Sequence, residues 1–370
     1  MELFVWFDGR FHGRLLANRN RPDLRQAAIG DGRYAFSLPV PTALADGRSH
    51  VARVVAADGQ DLAGSPLEFR LTAAVDRVSP RPEPAAPGDV TLLAIAKDER
   101  PYVEEWIAHH HGLGFRRFVI YDNDSSDGTA ELLRQNRRLA GMVEIVPWPG
   151  SALPPGEAPQ HAAYAHALGW LERRGWLAVF DLDEFLVLRR DHTVQQLLAR
   201  YADAAALAIG WRIFGSGGHD RHEPGPVTRR FRHCGPHRLA KSIAQLALIE
   251  RMGPHVPVLG DGSACDERRR PLPDGDRLAT PSYRQAQVNH YFSKSREEWN
   301  RKRARGRPDL TVGRVRPEQD FARHDLADAV DDTIQRHWPA TIRSMETLFP
   351  DTLSQWRSAG FAAPPATGRR

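Results

Sequence analysis

The sequence predicts an α/β protein, with a mostly parallel sheet covered by helices on both faces and a small all-β sandwich ahead of it. Three observations carry that expectation. Residues 1–71 hold short alternating apolar runs closed by turn signals. A proline-rich stretch follows, and beyond it continuous apolar strands alternate with helices.

In the first part the runs are ELFVWF, YAFSLPV, HVARVVAA and LEFRL, separated by DGR, GDGR, LADGRS and ADGQDLAGSP. Short strands closed by Asp-Gly or Gly-Ser at this spacing fit a sandwich over residues 1–78. The stretch VSPRPEPAAPGD carries Pro80, Pro82, Pro84 and Pro87 and packs no core, so residues 79–89 read as a linker.

The next segment, VTLLAIA (90–96), is apolar throughout, as a strand covered on both faces must be. RPYVEEWIAHHHGLG then places Val103, Trp106, Ile107 and His110 on one helix face, with Gly112 and Gly114 ending it. FRRFVIYDND is a second strand, SSDGTAELLRQN a second helix with good capping residues, and GMVEIVPW a third strand. In such a sheet a ligand is expected at the carboxyl ends of the strands. Residues 307–370 read as a helical extension, with Ile334, Trp338, Ile342 and Met345 at helical spacing, and a frayed tail.

Composition narrows the classes. The chain has 370 residues, 41% hydrophobic and 26% charged, a formal charge of +5, and two cysteines, Cys234 and Cys265. A disulfide framework and a cysteine metal cluster are therefore excluded. No stretch approaches the ~20 apolar residues of a membrane span. The N-terminus lacks a basic start, a long apolar centre and a small-residue cleavage site, so a cytosolic location is expected. The basic runs ERRR (267–270) and SREEWNRKRARGR (295–307) read first as solvated surface and second as a means of reaching anionic lipid on the cytoplasmic membrane face. With no aromatic interleaving or recognised motif, nucleic acid is not expected as a partner.

Chemistry concentrates at the predicted strand ends. WLAVFDLDEFLVL (176–188) places Asp181, Asp183 and Glu184 in an otherwise apolar run, and a buried carboxylate needs a partner. If the segment is extended, side chains at i and i+2 point the same way, so Asp181 and Asp183 can face one hard cation, Mn²⁺ or Mg²⁺, completed by a diphosphate. Asp122, directly after FVIY, is placed to accept a hydrogen bond from a nucleobase or ribose. Ser125, Ser126 and Asp127 read as turn and cap residues. Lys241 and Lys294 are candidate phosphate contacts. The run His109–His111 is not a metal site, because successive helical residues point about 100° apart.

Taken in order, LLAIAKDERPYVEEWIAHHHGLGFRRFVIYDNDSSDGT, WLAVFDLDEFLVL, WRIFGSGG, LAKSI and VNHYFSKSREEW make residues 90–306 resemble a nucleotide-sugar glycosyltransferase of the GT-A fold, family 2-like and near family 92. That resemblance implies metal and donor diphosphate at Asp181 and Asp183, with His290 a further metal ligand. It puts the base at Asp122, with Lys97 and Glu99 nearby. Asp98 and Asp124 stand where the pattern leads one to expect asparagine. The resemblance also implies an inverting displacement, from a UDP-sugar in first preference, onto a glycan or lipid-linked acceptor, with Asp220 or Glu223 as the base that takes the acceptor proton. Two other readings compete. VFDLDEF also resembles the first motif of haloacid-dehalogenase-type phosphohydrolases, with Asp181 as nucleophile and Asp183 as general acid. A non-catalytic carbohydrate-binding protein is the third possibility.

Overall fold

A computed structural model describes residues 2–17, 44, 47–70, 89–150, 158–260, 262–272, 278, 281–306 and 315–361. The chain divides into two compact units, 1–78 and 79–370. The first is a four-stranded antiparallel sheet of β1 (Glu2–Phe7), β2 (Arg10–Leu16), β3 (Ser49–Ala56) and β4 (Leu67–Arg70), in the order β2-β1-β3-β4. Asp8 and Gly9, at φ 47° and 75°, make the tight β1–β2 turn, which needs positive φ at both positions. Alternate residues Leu3, Val5, Phe7, Ala52 and Val54 turn inward to form this unit's core. The described residues thus show one sheet rather than the expected sandwich. The run 34–40 and the prolines at 80–87 lie outside them.

The second unit is built on a ten-stranded sheet. Its first strands are β5 (Val90–Ala96), β6 (Arg117–Asp122), β7 (Val143–Pro147) and β8 (Trp176–Val179). They run parallel in the order β7-β6-β5-β8, and β5 is buried at every position. Helices α1 (Val103–Gly112), α2 (Thr129–Gln135) and α3 (Pro159–Trp170) connect them. Four strand ends, followed by loops 97–100, 123–128, 148–150 and 180–183, therefore meet on one edge.

Beyond β8 the sheet is mixed, which corrects the mostly parallel expectation. It continues through β11 (His233–Gln245), β10 (Ala206–Phe214), β15 (Ala286–His290) and β9 (Glu184–Leu188), with β8–β11, β11–β10 and β15–β9 antiparallel. Short strands β14 (Ala264–Cys265) and β16 (Ala329–Val330) pair with β10 and β11, and β12 (Ile249–Arg251) with β13 (Val258–Leu259). Strands β8 and β9 lie four places apart, which in a flat sheet is about 19 Å. The chain joins them through residues 180–183, and even fully extended this step reaches no more than about 17 Å. The sheet must curl, bringing its far edge over the strand ends of β5 and β8.

Four further helices matter below: α4 (Val194–Ala199), α5 (Val227–Arg230), α6 (Arg296–Ala304) and α7 (Gln319–His324). The C-terminal α8 (Trp338–Leu348) and α9 (Pro350–Ser358) join the main core through Trp338, Ile342, Met345, Leu353 and Trp356. At Gly112 a Cβ would come within 3.0–3.2 Å of Ala340 and Thr341, so the glycine lets α1 lie against α8. No helix among the described residues is long and apolar enough to cross a membrane.

Candidate functional site

Asp181 and Asp183 do not lie on an extended strand. They occupy a turn closed by Glu184 N–H donating to the Asp181 carbonyl at 2.9 Å. The i, i+2 alternation of a strand does not apply there, and the two carboxylates meet different partners.

Asp181 is about one-third exposed (34%). Its Oδ1 accepts from Gln160 Nε2 at 3.1 Å, and Gln160 also donates to Tyr164 Oη, one turn along α3, at 2.7 Å. Its Oδ2 accepts from Lys241 Nζ at 3.1 Å. Lys241, fully buried on β11, also lies 3.1 Å from Glu184 Oε2. Burial works against the ammonium, but Asp181 and Glu184 outweigh it and raise its pKa. Glu184 is fully buried, and burial, with Asp181 and Asp183 adding repulsion, pushes its carboxyl well up against the pull of Lys241. Lys241 is thus the partner of Asp181, and burial favours the neutral form of Glu184.

Asp183 is 5% exposed and ringed by cationic or donor groups. Lys302 Nζ, from α6, donates to Oδ2 at 2.5 Å, Lys294 Nζ stands 3.8 Å from the same oxygen, and His290 Nε2 lies 3.4 Å from Oδ1. Burial alone would raise the Asp183 pKa, but Lys302, His290 and Lys294 hold it well below the usual carboxylate range. Burial drives His290 down to about 4 despite Asp183, so its ring is neutral near pH 7. Its Nδ1 faces Glu184 Oε1 at 3.8 Å, and neither atom has a hydrogen-bond partner among the described residues.

This arrangement bears on the expected metal site. Among the described residues no three His, Cys, Asp or Glu side chains are grouped to hold an ion. Asp181 and Asp183 are bonded to separate lysines, and His290 Nε2 is turned to Asp183. As arranged, the residues do not fit a shared divalent cation.

The strand-end loops meet this cluster through Arg305, at the end of α6. Asp98 Oδ1 accepts from Ser126 N at 2.7 Å, Asp98 N donates to Ser125 Oγ at 3.0 Å, Glu99 N to Thr129 Oγ1 at 3.0 Å and Arg100 N to Asp127 Oδ2 at 2.9 Å. The serines and Asp127 therefore join the two loops. Asp127 Oδ1 accepts from Thr129 N at 2.9 Å, as a turn residue does, but the expected side-chain cap is not made, since Gly128 holds the N-cap position of α2. Asp122 Oδ1 and Glu99 Oε2 are buried without a partner among the described residues, and burial raises the Asp122 carboxyl despite Ser125. Arg305 pairs with Glu99 Oε1 and donates to the carbonyls of Lys97 and Asp98 at 2.6 and 2.8 Å. The side chain of Lys97, in the first of these loops, is half-buried.

Asp220 and Glu223 are not drawn into this cluster. Both are exposed on the loop before α5; the Asp220 carbonyl accepts from Glu297 N at 3.0 Å, and Glu223 lies 3.9 Å from His219. Residues 295–307 are not uniformly solvated surface. Ser295 and Glu298 form a capping box, and Glu298, Trp299 and Lys302 are buried along one face. That box and spacing were the signal that could have found Lys302. The exposed arginines of this run are paired, Arg301 with Glu297, and Arg296 and Arg303 with Glu318.

Residues 97–259, which include the Asp181–Asp183 turn and Lys241, match the sequence model described as glycosyltransferase family 92. Proteins carrying that family name are similar over shorter stretches. One from Oryza sativa subsp. japonica is 33% identical over 114 residues, covering 30% of this chain and 18% of its own length. One from Arabidopsis thaliana is 31% identical over 145 residues, covering 37% of this chain and 23% of its own. The chain thus spans less than a quarter of the length of either relative. Among solved structures, HddC from Yersinia pseudotuberculosis covers 58% of this chain and 96% of its own at 13% identity, with a TM-score of 0.33. The central region of this chain therefore stands near family 92, as its motifs suggest.

Proposed function

We propose that this chain, related to glycosyltransferase family 92 over residues 97–259, is a GT-A-type glycosyltransferase that moves a sugar from a nucleoside diphosphate, UDP in first preference, to a hydroxyl of a glycan or lipid-linked acceptor. The observation that carries the reading is the Asp181–Asp183 turn with its lysines, set within the family-matching region at the carboxyl edge of the parallel strands. That edge is where such sheets bind ligands. The partnerless Asp122 Oδ1 and Glu99 Oε2 give the nucleoside end acceptors for base or ribose donors. The lysines give the diphosphate end donors.

Transfer is written with inversion. The acceptor oxygen bonds to the anomeric carbon as the bond to the diphosphate oxygen breaks, and that oxygen keeps the electron pair. The hydroxyl proton passes to a carboxylate on the acceptor side, with Asp220 ahead of Glu223 because its backbone is tied to the start of α6. Calorimetric titration of UDP, GDP and dTDP into the full chain tests the reading. One of them is expected to bind. No binding of any of the three would sink the transferase reading. It would turn attention to the phosphohydrolase, tested by release of phosphate, or to a glycan-binding protein.

A further inference from the structure

With Lys302 at 2.5 Å and Lys294 at 3.8 Å, two lysines face the one buried carboxylate of Asp183, and both lysine side chains are less than one-tenth exposed. Two buried amines on one carboxylate leave donor capacity that an anion can take up. Two observations add to this. Lys294 sits at φ 52°, a left-handed backbone that a lysine adopts only when its surroundings impose it, and such strain clusters where ligands are held. Ser293, its neighbour, is 1% exposed, and its hydroxyl has no partner among the described residues.

The two lysines are also braced. The ammonium of Lys294 lies 4.4 Å from the centre of the Tyr102 ring and that of Lys302 4.1 Å from that of Phe292, while the Phe292 carbonyl accepts from Lys302 at 3.0 Å. At the other end of the same helical segment Arg305 grips the β5 loop. The segment 293–305 therefore spans from the Asp183 turn to the loop assigned to the nucleoside.

We propose that Lys294 and Lys302, rather than a divalent cation shared by Asp181 and Asp183, neutralise the diphosphate of the donor, so that donor binding does not need a metal. Asp183 then acts as a positioning residue that holds the lysines ready. When the sugar–oxygen bond breaks, the diphosphate oxygen keeps the electron pair and its extra negative charge is met by the two lysines. This rests on the transferase reading above.

The test is titration of UDP, with GDP and dTDP alongside, into the full chain in EDTA and again in Mn²⁺. The proteins are wild type, Lys294→Met, Lys302→Met and Lys302→Arg, each checked for folding by thermal melting. Expected are affinities in EDTA and Mn²⁺ within about twofold, a loss of about tenfold or more in each methionine variant that Mn²⁺ does not restore, and partial recovery in Lys302→Arg. Should Lys302→Met fail to fold, Lys294→Met carries the test, since it leaves the Asp183–Lys302 pair intact. Binding that requires Mn²⁺, or a folded Lys294→Met that binds like wild type, overturns the lysine proposal and leaves the transferase standing. No binding of any nucleotide in either condition overturns both.

Discussion

Asp98 and Asp124 sit at φ 53° and 56°, in the left-handed region that asparagine and aspartate tolerate best among side-chain-bearing residues. Their chemistry follows from that backbone. Asp98 reaches Ser126, and Asp124 Oδ2 accepts from Gly150 N at 2.7 Å, so each carboxylate ties one strand-end loop to the next. The aspartates that replace the expected asparagines thus meet the same conformational demand, and their added charge faces loop donors. Asp98→Asn is expected to change stability by less than about 0.5 kcal/mol, and Asp98→Ala to cost about 1–2 kcal/mol through strain and a lost hydrogen bond. Urea unfolding of both variants measures this, and an alanine variant as stable as wild type would show that the carboxylate joins nothing of consequence. At this scale the sequence made Asp181, Asp183 and Asp122 legible because a carboxylate after an apolar run is conspicuous. It hid their partners, because Lys241 and Lys302 are 60 and 119 residues away from the aspartates they bond.

At the scale of one element, α6 shows how a charged run can be read wrongly. Its composition is that of a solvated helix, yet Glu298 is bound by Arg230 through two bonds of 2.9 Å, by the Tyr102 hydroxyl at 2.9 Å and by Ser295 Oγ at 2.6 Å. Burial favours its neutral form, but His222, Arg230 and Ser295 hold the carboxyl far below its ordinary range. Removing that charge leaves Arg230 buried and uncompensated, so Glu298→Gln is expected to destabilise by about 3 kcal/mol. Ser295→Ala loses only the cap and costs about 1 kcal/mol. Because the same helix carries Lys302, both variants should weaken UDP binding in the same order as they lower the urea midpoint. Equal binding in a clearly destabilised Glu298→Gln variant would show that the helix does not place the lysine. The alternation of runs across 90–147 was legible because strand and helix periods differ. The crossing from β8 to the far edge at β9 was not, because nothing local in residues 180–183 records a curled sheet.

For the second unit as a whole, the edge at β9 contributes to how the fold responds to acid. An edge strand leaves backbone groups unpaired, and here side chains complete them. Trp106 Nε1 donates to the Glu184 carbonyl at 2.9 Å and His109 Nε2 to the Leu186 carbonyl at 2.7 Å. Leu186 N donates to His110 Nε2 at 3.3 Å, and Leu188 N to His337 Nε2 at 3.1 Å. His109 and His110, in the run the sequence marks as a packed helix end, and His337 thereby close the sheet that presents Asp183 and Glu184. The two accepting rings must be neutral. Burial lowers the pKa of His110 well below its ordinary value and that of His337 to about 2, and it also lowers that of the donating His109 to about 4. In the unfolded chain a histidine takes its proton near pH 6.5, whereas these refuse it until far lower, so the unfolded state binds more protons between the two values. Stability is therefore complete above about pH 6.5 and falls as pH drops toward 4, by about 1.4 kcal/mol per pH unit for each such histidine. Melting temperatures measured from pH 8 down to 4.5 check this, ordinary glutamates taking up protons only at the acid end of the interval. His110→Gln keeps an acceptor for Leu186 N and removes one titration, so its curve should be shallower over this interval. A wild-type melting temperature that is flat from pH 6.5 to 4.5, or a variant curve parallel to the wild type, would mean that the histidine edge does not govern the unit's acid response.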